Sequence, residues 1–241
     1  MIHTPLPGVP AKAVQALARL PGSDLDSPDS ATALVADAFG WFLDRPRNLL
    51  PLPGVPMGLP ETLELGAELQ LPMRGVRHPR LDVAVTSPTT LVGIAARRYQ
   101  PFRPPKATAF TEPFDSRDWG PGMARYDSLR KTLAKGHGYR HLDAVTLVKQ
   151  AYALRTQGVK RARGAVLVYL HAAPECWSSG KPVDPAAIAR HATEIADFAR
   201  AVKGDDVTFV PLGWAALLAQ WAGVPALADH AAAIRDRFGP L

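Results

Sequence analysis

Two neighbouring stretches of this chain carry side chains able to grip a phosphate or a metal ion. The first, Leu81-Asp82-Val83-Ala84-Val85, alternates apolar and polar residues and holds one carboxylate, Asp82. The second, Thr90 to Tyr99, is continuously apolar until Arg97 and Arg98. A carboxylate is a hard oxygen ligand for a cation such as Mg²⁺, and a guanidinium is a planar fork that holds a phosphate through two parallel hydrogen bonds. Arg103 and Lys106 follow closely. Arg97, Arg98, Arg103 and Lys106 are therefore predicted to meet the phosphates of a nucleic acid.

The elements that must position these groups are legible from periodicity. Residues 81 to 85 and 90 to 97 read as adjacent strands joined around Ser87-Pro88-Thr89. Upstream, helical apolar spacing covers Ala11 to Leu20 and Ser30 to Leu43, with Ser30 a suitable N-cap. Two copies of Pro-Leu-Pro-Gly-Val-Pro, at 5–10 and 51–56, are extended or turn segments. Pro60-Glu61 suits a helix start, so a short helix is expected through Leu69. Downstream, Pro101 to Gly122 is a basic loop, and helices follow at Met123 to Lys135 and Leu142 to Gln157, with Asp143 favouring the positive end of the second. Gly164 to Leu170 is a buried strand and Pro185 to Val202 a helix capped by Asp184. A strand at Val207 to Leu212 and helices at Trp214 to Trp221 and Pro225 to Phe238 complete the chain. Strands alternating with helices predict an α/β fold.

Composition bounds the alternatives. A chain of 241 residues with 47% hydrophobic and 21% charged residues can bury a large core as one domain, with residues 1–58 as a Pro-rich helical extension on a 59–241 core. One cysteine, Cys176, forms no internal disulfide and reads as a packed side chain. No basic start with an apolar run opens the chain, which points to a cytoplasmic protein with no membrane partner. The net charge of +6 is uneven: residues 91–170 hold 15 Lys and Arg against 5 Asp and Glu, whereas both flanking segments are slightly acidic. Such an excess is either a solvated face or a surface for a phosphate-bearing partner.

Glu68, the run Arg77 to Asp82, the run Leu91 to Arg103, His141 to Lys149 and Ala165 to Leu170 together resemble a bacterial branch of the PD-(D/E)xK restriction-endonuclease-like superfamily. The resemblance spans about Glu68 to Trp221. It implies a restriction-endonuclease-like αβββαβ core that grips nucleic acid, DNA in preference to RNA, over one sheet edge. It matches Asp82 to the first-strand carboxylate and Glu68 to an auxiliary acid on the preceding helix. The second strand departs from the family pattern: Ala95, Arg97 and Gln100 stand where an acid, a lysine and a further acid are expected.

That departure bears on chemistry. Phosphodiester hydrolysis by this route needs a divalent cation held by converging carboxylates, to polarise the phosphoryl oxygen and acidify the attacking water. Alanine offers no ligand, and an arginine stays protonated while still holding phosphate. The leading expectation is a catalytically degenerate nuclease-like protein that binds nucleic acid through a basic face. One alternative is an active Mg²⁺-dependent endonuclease using Glu68 and Asp82 as metal ligands with a relocated acid and lysine. Lys149, beside Val145, Val148 and Tyr152 on a helix face, is the candidate lysine. Another is a protein-interaction scaffold.

Other groups carry less. His137 and His141 have the spacing of a helical metal pair, but glycines at 136 and 138 favour a loop. Glu112, Asp115 and Asp118 could supply a migrated carboxylate or be solvated loop charge. Trp41, Trp177, Trp214 and Trp221 read as core residues, whereas Trp119 and Phe110 in the basic loop are expected to stack on bases.

Overall fold

A computed structural model describes residues 3–20, 23–104, 108–136 and 138–241. Five strands form one mixed sheet in the order β1-β2-β3-β4-β5, namely Thr62–Leu65, Val83–Thr86, Thr90–Arg97, Gly164–His171 and Val207–Gly213. The first two pairings are antiparallel and the last two parallel. The expected strand pair is present, with Val83 opposite Ile94. Among the described residues seven helices flank the sheet: α1 Ala11–Ala18, α2 Ala31–Gly40, α3 Ala124–Ala134, α4 Ala144–Lys160, α5 Pro185–Val202, α6 Trp214–Ala222 and α7 Pro225–Phe238. The described part of the Pro101 to Gly122 loop contains only short 3-10 turns.

Period-2 alternation along β3 and β4 sends side chains into two separate cores. Val92, Ile94 and Ala96 of β3 with Val166, Val168 and Leu170 of β4 meet α1, α2, α6 and α7. Leu91 and Ala95 with Leu167 and Tyr169 meet α3, α4 and α5. The result is a three-layer α/β/α sandwich. Residues 1–58 contribute half of one helical layer: Phe39 of α2 packs on Trp214 and Trp221 of α6 at ring-centroid distances of 6.0 and 5.8 Å. Buried Asp37 of α2 adds a polar tie, accepting from the Leu6 backbone N–H and from Arg237 Nη1 of α7.

The helix caps follow their chemistry. Ser30, Asp143 and Asp184 each accept from a backbone N–H in the first turn of α2, α4 and α5. One element differs from expectation: the helix expected between Pro60 and Leu69 is a strand. Leu63 and Leu65 alternate with Thr62 and Glu64 and pair with β2, so sheet hydrogen bonding prevails over the proline start signal. Gly66 then turns left-handed at φ +65°, which moves the following apolar residues to the other core: Leu63 and Leu65 pack with α1 and α2, Ala67 and Leu69 with the α4 side. Among the described residues no helix is long and apolar enough to cross a membrane.

Candidate functional site

Strands β3 and β4 run parallel, so their C-terminal ends meet at one sheet edge, where open α/β sheets expose ligand sites. In register, Ala95 lies beside Tyr169 and Arg97 beside His171. Continuing the β2–β3 register by one residue sets Asp82 opposite Ala95. Asp82 thus faces position 95, and one of its two carboxylate oxygens is engaged. Oδ2 accepts from the Ala96 backbone N–H at 2.7 Å and from Arg97 Nη1 at 3.1 Å, and the same Nη1 donates to the Ala96 carbonyl at 2.7 Å. Burial works against the Arg97 charge, yet Asp82, Tyr169 and Asp143 together outweigh it and hold the guanidinium above its ordinary pKa. Ala95 is fully buried and offers no ligand.

Arg97 lines a cleft of about 560 Å³ together with Gln100, Arg103, Arg140, His141 and Tyr169. Its wall is the loop leading into α4. The buried carboxylate of Glu194 on α5 fixes that loop, accepting from the backbone N–H groups of Arg140 at 2.9 Å, His141 at 2.7 Å and Leu142 at 3.0 Å. The arrangement also places a proton. His141 Nδ1 lies 2.7 Å from the Pro101 carbonyl, which can only accept, so Nδ1 carries a proton. Beneath it, the Tyr169 hydroxyl meets His191 Nε2 at 2.9 Å. Burial, with His171 and His141 nearby, pushes the His191 pKa down to about 3. Burial likewise raises that of the Tyr169 phenol, so both groups are neutral at physiological pH.

The remaining expected site residues fall elsewhere. Glu68 is not on a helix. It forms an isolated bridge with Arg80 beyond β1 and pairs with that guanidinium at 2.7 Å, on the side of the strand opposite to buried Ala67 and Leu69. Lys149 Nζ donates to the Ala109 carbonyl at 2.6 Å and lies near the Phe110 and Phe114 rings, so it braces the basic loop. Arg98 is 1% exposed and cannot reach a phosphate: its guanidinium donates to the carbonyls of Pro28 and Phe238. Arg103 is exposed at the cleft, with Asp29 at 3.5 Å. Lys106 and His137 lie outside the described residues. Asp115 pairs with Arg130, and Asp118 accepts from the Gly120 N–H within its own turn. Among the described residues no group of three or more His, Cys, Asp or Glu side chains could hold a metal ion.

The aromatic expectations change places. Trp119 is 5% exposed and stacked on Tyr152 at 3.7 Å, and Phe110 packs against Phe114. Trp119 thus belongs to the core, and partly buried Phe110 meets Phe114 edge-on with the Lys149 ammonium 5.5 Å from its ring centre. Trp214 and Trp221 are buried as expected, while Trp41, Trp177 and Cys176 are partly exposed. The basic middle third also divides: α4 runs from the cleft wall to Lys160, about 25 Å away at 1.5 Å per residue, which sets Arg161 and Arg163 far from Arg97. Arg140 and Glu194 were not anticipated. The signal for Glu194 was a carboxylate on the apolar face of α5, one step from Ile195 and Phe198.

The fold and this edge define a three-layer α/β protein with an arginine-bearing cleft at the C-terminal ends of its parallel strands. No family model, curated protein or solved structure matches the chain.

Proposed function

We propose that this protein is a catalytically degenerate relative of the PD-(D/E)xK nucleases that binds nucleic acid, with Arg97, Arg103 and Arg140 holding backbone phosphates in the cleft. The observation that carries the reading is the state of Asp82. A metal held here would need a second carboxylate converging on Asp82, whereas position 95 is alanine and Asp82 Oδ2 already accepts a backbone N–H and a guanidinium. Arg97 therefore supplies positive charge where a nuclease would hold a cation, and it keeps affinity for phosphate without generating a nucleophile.

The order of elements supports the relationship: three antiparallel strands, two helices, then a strand parallel to the third, with Asp82 across from position 95. The placements of Glu68 and Lys149 weigh against the active-enzyme alternative, since both are engaged away from Asp82. Fluorescence anisotropy with labelled DNA and RNA across a salt series, run beside a Mg²⁺ cleavage assay, tests the proposal. Salt-sensitive binding without cleavage is expected. Mg²⁺-dependent cleavage abolished by Asp82→Ala would refute the degenerate reading, and absence of binding would refute the nucleic-acid reading. The alignment is checked by Ala95→Glu with Arg97→Lys, which should gain Mg²⁺ or Mn²⁺ affinity in calorimetry.

A further inference from the structure

We propose that Trp177 is a base-stacking platform and that the cleft takes a single-stranded nucleic acid; this rests on the phosphate-binding reading above. Trp177 is the partly exposed end of a layered stack. The buried Arg98 guanidinium lies 4.7 Å from the centre of the Tyr99 ring, and Tyr99 in turn stacks on Trp177 at 4.8 Å with 16° between planes. Tyr99 is fully buried and anchored by its hydroxyl, which donates to the Cys176 carbonyl at 3.0 Å. Among the described residues the charged group over the Trp177 ring is Arg103, 5.8 Å from its centre, at the outer limit of a cation–π contact that an incoming base would replace. Arg103 lines the cleft, so one nucleotide could place its phosphate on Arg103 and its base on Trp177.

The platform is pre-organised. Trp177 opens a tight hairpin in which its N–H donates to the Lys181 carbonyl and its carbonyl accepts from Gly180, both at 2.8 Å, while Val183 N–H donates to the Glu175 carbonyl at 2.9 Å. Next to it, Ser178 is held by Asp29 through its hydroxyl at 2.5 Å. A large ring kept partly in water on a rigid turn has little to gain from packing alone, whereas stacking on a base buries it. Bases inside a duplex are already stacked and cannot reach the ring without being pulled out, which selects single strands.

The test compares oligo-dT, an abasic deoxyribose-phosphate oligomer of equal length, and duplex DNA. Wild type is expected to prefer oligo-dT. Trp177→Ala should weaken oligo-dT binding roughly five- to hundredfold, leave abasic binding unchanged and keep the salt dependence, while Trp177→Phe retains most of the affinity. Duplex preference, or oligo-dT binding indifferent to Trp177→Ala in a folded protein, overturns the stacking inference and leaves the phosphate reading standing. Equal losses on oligo-dT and abasic oligomers also overturn it. If none of the three probes binds, both readings fall.

Discussion

Arg97 and Arg98 are adjacent cations with opposite fates, and replacing each by alanine should separate affinity from stability. Arg98 donates two charge-assisted hydrogen bonds to backbone carbonyls that belong to distant parts of the chain, Pro28 before α2 and Phe238 at the end of α7. Each such bond contributes about 1.5–3 kcal/mol, and its loss removes the donor that each carbonyl now has from Arg98. Relief of the buried guanidinium's desolvation offsets part of this, so Arg98→Ala should cost about 3 kcal/mol. In a chain of this size that lowers Tm by roughly 6–12 °C. Arg98→Lys, a point charge able to reach one carbonyl, should recover less than half. Arg97→Ala loses one partly exposed ion pair, worth up to about 1 kcal/mol. Binding should show the reverse: Arg97→Ala flattens the log-log salt dependence by about 0.7 per lost contact on a single strand, whereas Arg98→Ala leaves the slope unchanged. Urea unfolding and salt-titrated anisotropy on the same samples provide both readouts. An Arg98→Ala protein of parental stability, or one whose salt slope falls as that of Arg97→Ala does, would refute the assignment of Arg98 to the interior.

Glu194→Ala removes the acceptor for three backbone N–H groups at the cleft wall, so it should destabilise by about 2–4 kcal/mol and weaken phosphate binding through Arg140; unchanged affinity would detach the wall from the site. Because the folded pKa of His191 is depressed, the unfolded chain takes up that proton first as pH falls below about 6.5. Stability should therefore decline toward pH 3 by up to about 1.4 kcal/mol per pH unit, and His191→Leu should flatten that limb of an acid-denaturation curve. His171 and His230, also depressed by burial, act in the same direction and leave a residual slope. Trp119→Ala should cost about 3–5 kcal/mol by emptying the space beside Tyr152, yet shift oligonucleotide affinity little in protein that remains folded; a selective binding loss at unchanged stability would restore Trp119 as a contact.

What the sequence disclosed and what it concealed have physical reasons. Continuous β-branched runs and capping side chains located β3, β4, α4 and α5 because those signals are local. The strand at Thr62–Leu65 was also legible in the alternation of Leu63 and Leu65, but Pro60-Glu61 resembles a helix start and the sheet partner lies about twenty residues on. Alternation should likewise have divided Arg97 from Arg98, since successive strand residues face opposite layers. Residue types alone could not exchange the roles of Trp119 and Trp177. Which ring is covered depends on Tyr152 and Tyr99, brought near by the fold. Glu194 resisted for the same reason: its three donors are more than fifty residues away.

The left-handed turn at Gly66 has a consequence for how the molecule comes apart. Because one extended segment contributes Leu63 and Leu65 to one core and Ala67 and Leu69 to the other, neither helical layer can melt without loosening the strand that the second layer also needs. The two cores are thereby joined into one cooperative unit, despite being separated by the sheet. Any side chain at position 66 must adopt the positive φ and meet Leu20, whose Cδ1 would lie 2.9 Å from an added Cβ. Gly66→Val should accordingly broaden unfolding from a single transition into two, with hydrogen exchange accelerating first around β1.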